Sequence, residues 1–174
     1  MGQLLDSLLP DLSVCLDAID NSMAKTALLA ACVDRQIPVV TCGGAAGKTD
    51  PTQVQADDLT RVAGDRLLGS CRTNLRKRYG FAKGLGTNDH KNNKNKKKFP
   101  RKWGITAVYS TEIIQGTAAA AAADKKNQVS SLRRCDGALG TACFVTGTFG
   151  FVAAGKVVDM IATSQPVVPK RQSQ

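Results

Sequence analysis

VCLDAIDNSMAKTALLAACVDRQIPVVTCGG, residues 14–44, reads as strand, helix and strand. VCLDAID (14–20) is a compact apolar run that closes on acidic residues, the pattern of a buried parallel strand with functional groups at its C-terminal end. Asn21 or Ser22 can cap a following helix to about Gln36, with Ala24, Ala27, Leu28, Ala31 and Cys32 as its apolar face. IPVVTCGG (37–44) is a second buried strand ending in glycines. Together they make a βαβ unit, whose crossover is right-handed. In open sheets of this kind ligands bind outside the C-terminal ends of the strands. Asp17, Asp20 and the Gly43–Gly44 turn fall there.

Outward from this unit the pattern loosens. GAAGKTDPTQV (44–54) is a turn-rich loop. A helical region is expected from about Asp57 to Tyr79, interrupted near Gly64. Its last turn carries Arg76, Lys77 and Arg78, which complement the helix dipole, and Gly80 suits the position after its end. Residues 82–102 are a basic, low-complexity Gly/Asn/Lys insertion. WGITAVYST (103–111) reads as a strand, 115–134 as a loose connection, and Leu139 to Met160 as a Gly/Thr-rich apolar helix. Leu4, Leu5, Leu8 and Leu9 share one helical face that ends at Pro10. The expected organisation is one domain over 1–163 and a polar tail over 164–174.

Composition narrows the partners. The chain has 174 residues, 43% of them hydrophobic, and a formal net charge of +10. That charge favours an anionic partner such as nucleic acid or a nucleotide. Residues 91–102 (KNNKNKKKFPRK) hold six lysines, one arginine and no acid. The six cysteines form no C-x-x-C pair and several sit in apolar runs, so free thiols in a reducing compartment are expected. With His90 the only histidine, neither a structural zinc site nor a Ser/His/Asp hydrolase set is expected. The first residues lack the pattern of a secretory signal. Residues 137–155 carry no charge, but five glycines, three threonines, and Lys156 and Asp159 just beyond favour a helix buried in an α/β domain over an integral membrane span.

Four groups of residues bear on chemistry. Asp17-Ala18-Ile19-Asp20-Asn21 places carboxylates at a strand mouth, where one can hold magnesium on a triphosphate or simply cap the next helix. Gly43, Gly44 and Gly47 let backbone approach a ligand, or make an ordinary turn; no Walker sequence follows in register. Cys135 lies beside Arg133 and Arg134, which would lower a thiol's pKa, and also reads as a partly buried residue at a helix start. Lys96, Lys97, Lys98 and Arg101 can hold nucleic-acid phosphates, or form a solvated insertion or a localisation-like patch.

Three segments in order carry a family resemblance. Residues 16–61, AVYSTE (107–112) and RCDGALGTACFVTGTFGFVAAGKVV (134–158) resemble the C-terminal part of the tRNA threonylcarbamoyladenosine dehydratases. These are adenylating proteins of the ThiF/MoeB, ubiquitin-activating-enzyme-like superfamily. The resemblance implies an α/β, Rossmann-like fold, here incomplete because the N-terminal βαβ unit that cradles the nucleotide has no counterpart in residues 1–13. It implies ATP and magnesium as cofactors, and ATP-dependent cyclisation of threonylcarbamoyladenosine at tRNA position 37 through an acyl-adenylate. By motif Asp20 serves magnesium-ATP as the catalytic carboxylate. Asp17 and Asn21 shape the same pocket, and Gly43 and Gly44 line its acyl-substrate side. Cys135 matches a family cysteine. The implied partners are tRNA and a second copy or full-length relative. The implied location is cytoplasmic, or mitochondrion-associated in a eukaryote. The rival expectations are a non-catalytic RNA-binding or dimerising remnant, and adenylation of a ubiquitin-like or sulfur-carrier protein.

Overall fold

The computed structural model describes residues 12–82, 102–113 and 140–163. The expected helix at 4–9, the insertion with Lys96, Lys97, Lys98 and Arg101, the connection at 115–134, Cys135 and the tail lie outside the described residues. The elements run β1 (Cys15–Asp17), α1 (Ser22–Asp34), β2 (Val39–Cys42), a 3-10 turn (Pro51–Gln53), β3 (Val54–Asp58), α2 (Arg66–Tyr79), β4 (Ile105–Ser110) and α3 (Cys143–Ala162). The strands form one sheet in the order β1-β2-β4-β3. β1, β2 and β4 are mutually parallel, and β3 runs antiparallel to β4 at the edge. The expected βαβ unit is present as β1-α1-β2, in register Asp17 to Thr41 and Thr41 to Ala107.

Alternation along the central strands divides the core between two faces. Val39, Ile105, Ala107 and Tyr109 join Leu29, Cys32 and Val33 of α1 and Leu68 and Leu75 of α2. Val40 and Val108 point the other way, to Val145, Phe149, Ala153 and Met160 of α3. The result is a sheet between a pair of helices and a single helix. α1 is buried more broadly than its sequence face suggested, because it packs on α2 as well as on the sheet. Its buried positions are Lys25, Thr26, Leu29, Ala30, Ala31, Cys32 and Val33.

The helix expected from Asp57 begins instead at Arg66. Residues 54–58 add a strand to the free side of β4, with Ala56 opposite Val108. Two aspartates disguise that strand, and Asp58 is structural. Its buried carboxylate accepts from the Thr60 amide and hydroxyl and from the amides of Trp103 and Gly104, which ties the start of β4 to the end of β3. Asp65 caps α2 by accepting from the Leu68 amide. Gly80, at φ 68°, ends it as the sequence indicated. Trp103 fills the corner beneath, edge-on to Phe81 at 5.0 Å and under the Arg76 guanidinium at 5.5 Å.

α3 corrects the expectation of a buried helix. It is long and apolar enough to cross a membrane, yet one stripe of it lies on the sheet while Phe144, Phe151, Val158 and Ile161 are exposed on the opposite side. Leu16 of β1, on the same face of the sheet, is 50% exposed. Among the described residues a single helix covers this face, and a helix can bury only one stripe against a sheet. The two sides should therefore respond differently to truncation. Phe149→Ala should lower unfolding free energy by about 3–5 kcal/mol, whereas Phe151→Ala should change it by no more than about 0.5 kcal/mol, measured by urea denaturation.

Candidate functional site

A crevice of about 270 Å³ opens at the C-terminal ends of β1 and β2. Ala18, Ile19 and Asp20 line one side, Cys42 to Ala46 the other, and Leu67 and Thr141 close it. Asp20, Gly43 and Gly44, three residues singled out in the sequence, are thus brought together. Asp20 is exposed at the rim. The Cys42 thiol is pushed above its ordinary pKa, chiefly by burial, with the Asp17 carboxylate adding to the rise against the lowering effect of Lys25. It therefore remains protonated at neutral pH.

Asp17 does not line the crevice. Its side chain is fully buried and forms an ion pair with Lys25 at 2.7 Å. The same oxygen accepts from the Thr41 hydroxyl at 2.6 Å, and Lys25 also donates to that hydroxyl's oxygen at 3.0 Å. The other carboxylate oxygen accepts from the Ile19 amide at 2.9 Å and so shapes the turn that leads to Asp20. Asn21 is likewise outside the crevice lining. Its side-chain oxygen caps α1, accepting from the amides of Met23 and Ala24.

The glycine turn is built around a third carboxylate. Asp65, while capping α2, accepts from the Gly44 amide at 2.9 Å. A Cβ on Gly43 would lie 2.2 Å from that carboxylate oxygen and 3.0 Å from a Leu68 methyl, whereas one on Gly44 would meet nothing within 4 Å. Gly43 is required by this internal contact, and Gly44 presents an open surface to the crevice.

Beyond the turn, the loop is pinned from β4. Glu112 accepts from the amides of Thr49 and Asp50 and from the Thr49 hydroxyl. Buried Lys48 donates to the carbonyls of Ser110 and Glu112. Gly47 donates to the Gly140 carbonyl at 2.9 Å, where the chain enters α3. The AVYSTE segment is thus the strand and clasp that hold the far wall of the crevice.

The chain is 38% identical over 149 residues to the tRNA threonylcarbamoyladenosine dehydratase of Haemophilus influenzae, an alignment covering 84% of this chain and 49% of that protein. To the Escherichia coli protein of the same name it is 37% identical over 146 residues, covering 81% and 48% respectively. The chain is homologous to the C-terminal part of the tRNA threonylcarbamoyladenosine dehydratases. It spans about half the length of these relatives. Crystal structures of the E. coli dehydratase, TcdA, in complex with AMP and with ATP superimpose on it with TM-scores of 0.66 at 30% identity, over 94% of this chain and 55% and 54% of theirs. No family model matches the chain.

Several residues that organise this crevice escaped the sequence reading. Lys25 is the clearest. It lies four residues before Leu29 and seven before Cys32, so it falls on the helix stripe facing the core, and a lysine there signals a buried partner. Asp65 carried the standard signal of a cap but no hint of its bond to Gly44. Lys48 and Glu112 pair loop with strand across about sixty positions of sequence, which local patterning cannot show.

Two outcomes test these contacts. Gly43→Ala must displace the Asp65 carboxylate and should cost about 2 kcal/mol or more, while Gly44→Ala should be close to neutral in thermal unfolding. The Asp50 amide leads the contacts that hold the Glu112 carboxyl below its usual pKa, with Thr49 adding to it. A depressed folded pKa means its contribution is present above the ordinary carboxylate range and is lost as pH falls through the folded value. The NMR amide shift of Thr49 should therefore hold steady through the ordinary carboxylate range and move only below it, and Glu112→Gln should abolish that transition.

Proposed function

We propose that the chain forms the magnesium-ATP and acyl-substrate side of an ATP-dependent tRNA threonylcarbamoyladenosine dehydratase. One observation carries the reading: Asp20 and the Gly43–Gly44 turn face each other across a crevice at the mouth of parallel strands, in a chain 38% identical to dehydratases. The donor set suits the cofactor. Magnesium takes one or two carboxylates together with phosphate oxygens. Asp20 supplies one carboxylate at the rim, while Asp17 has both oxygens committed internally. When bound, ATP supplies the leaving group that a free carboxylate lacks. The open face of Gly44 leaves room for the acyl group, beside the apolar side chains of Ala18, Ile19 and Leu67.

The same reading places a nucleotide-cradling unit over the exposed stripe of α3 and beside Leu16, in the same polypeptide or in another chain. Its tRNA is the partner suited to the basic loop at Lys96–Lys98 and Arg101, and its location is cytoplasmic or mitochondrion-associated.

A chimera tests this reading. Residues 14–163 replace the corresponding half of E. coli TcdA, and tRNA-dependent AMP release is measured. The chimera should be active. Asp20→Asn should lower the rate by about 100-fold or more, the scale of losing a charged transition-state contact, with an unchanged melting temperature. Undiminished activity would remove Asp20 from the mechanism. Pyrophosphate exchange that needed a carrier protein, and not tRNA, would replace this reading with the carrier-activating one.

A further inference from the structure

The outward face of α2 has a charge pattern that helix stability does not explain. The helix carries Arg66, Arg72, Arg76, Lys77 and Arg78 and no acid. Cations in the last turn complement the helix dipole, but Arg66 occupies the first turn, where the dipole disfavours a positive charge. Arg72 and Arg76 have packing roles. Arg72 donates to the carbonyls of Leu59 and Val62, and Arg76 lies over Trp103. Arg66, Lys77 and Arg78 have none: they are exposed, and among the described residues no carboxylate pairs with them.

Position gives the pattern direction. Arg66, Ser70, Thr73 and Lys77 recur at helical spacing and line one exposed face, about 16 Å long at 1.5 Å per residue, with exposed Arg78 flanking its far end. The face begins at the crevice, because Leu67, next to Arg66, lines it, and Asp65, on the other side, holds the Gly44 amide. A polymer lying along α2 with its charges on this row would have one end at the rim that Asp20 shares. Serine and threonine among arginine and lysine suit the contacts that proteins make to nucleic-acid phosphates and sugars.

We propose that this face of α2 is a second docking surface for the RNA backbone, leading the substrate strand to the crevice. The choice of RNA as partner rests on the dehydratase reading; the surface itself rests on the charge and placement above. The contacts are to phosphates, so they position the RNA without reading its sequence.

The full chain is titrated against a fluorescent, unmodified tRNA transcript between about 50 and 200 mM salt. Arg66→Gln/Lys77→Gln/Arg78→Gln should flatten the logarithmic salt dependence by roughly 2–3, near 0.7–0.9 per lost phosphate contact, and should weaken binding on the order of 10-fold or more. Its circular dichroism melt should match the parent chain, and the single Arg66→Gln should show about a third of the slope change should the triple variant fold poorly. Unchanged binding by these variants would overturn the proposal. So would a wild-type salt slope lost entirely in Lys96→Gln/Lys97→Gln/Lys98→Gln, or displacement of the tRNA by polyglutamate at matched charge. A wild-type chain that bound no tRNA would also overturn it, while leaving the dehydratase reading to the chimera.

Discussion

The buried ion pair between Asp17 and Lys25 is the contact on which the crevice depends. It joins the end of β1 to the first turn of α1, and through the Thr41 hydroxyl it reaches the end of β2. Both side chains are wholly shielded from water. Taking two charges into the interior costs several kcal/mol for each, and their attraction offsets this only when geometry and further hydrogen bonds are good. Here the closed triangle supplies both. Its benefit is placement more than stability, which comes from the apolar layers above and below the sheet. With Asp17 fixed, the Ile19 amide and hence the path to Asp20 are fixed. With Thr41 fixed, so is the approach to Gly43.

Carboxylates turned inward recur throughout the fold. Asp17 orders the first strand mouth, Asp58 fastens the start of β4, Asp65 joins the glycine turn to α2, and Glu112 clasps the loop that follows. Backbone amides are strong donors to a charged acceptor, so one short acid can anchor several turns that have no regular structure. There is an electrostatic consequence. Asp17, Asp58 and Asp65 are buried, so three of the chain's 14 acids contribute little to its outer surface. Lys25 and Lys48 are buried as well, so these buried charges shift the outer balance of the described residues by only one charge toward the cationic side.

Much of this was legible in the sequence. The run from Val14 to Gly44 gave both strands, the helix between them and the rim where Asp20 meets the glycines, because apolar runs bounded by turn residues report buried parallel strands directly. β3 was not legible, since Asp57 and Asp58 broke the apolar alternation and resembled the start of a helix. The half-covered state of α3 was hidden for another reason: Phe149 and Phe151 look alike in sequence, and only the sheet decides which is buried. Asp17 and Asn21 were assigned to the pocket from proximity along the chain, but one proton donor on α1 and one helix cap claimed them. The cap at Asn21 is local and was already offered by the sequence, whereas the Lys25 and Thr41 partners of Asp17 are set by three-dimensional packing, so a search for function at strand ends has no local means of separating a ligand-facing acid from one that holds the fold.

The position of β1 has a practical meaning. Among the described residues it has one neighbour, β2, and its outer side lies beside the half-exposed Leu16, on the sheet face that carries α3 and its exposed apolar side chains. An unprotected strand border next to exposed hydrocarbon favours sticking between identical molecules. The isolated polypeptide is therefore expected to be a difficult reagent, one whose behaviour in solution changes with concentration and improves when a companion covers that border.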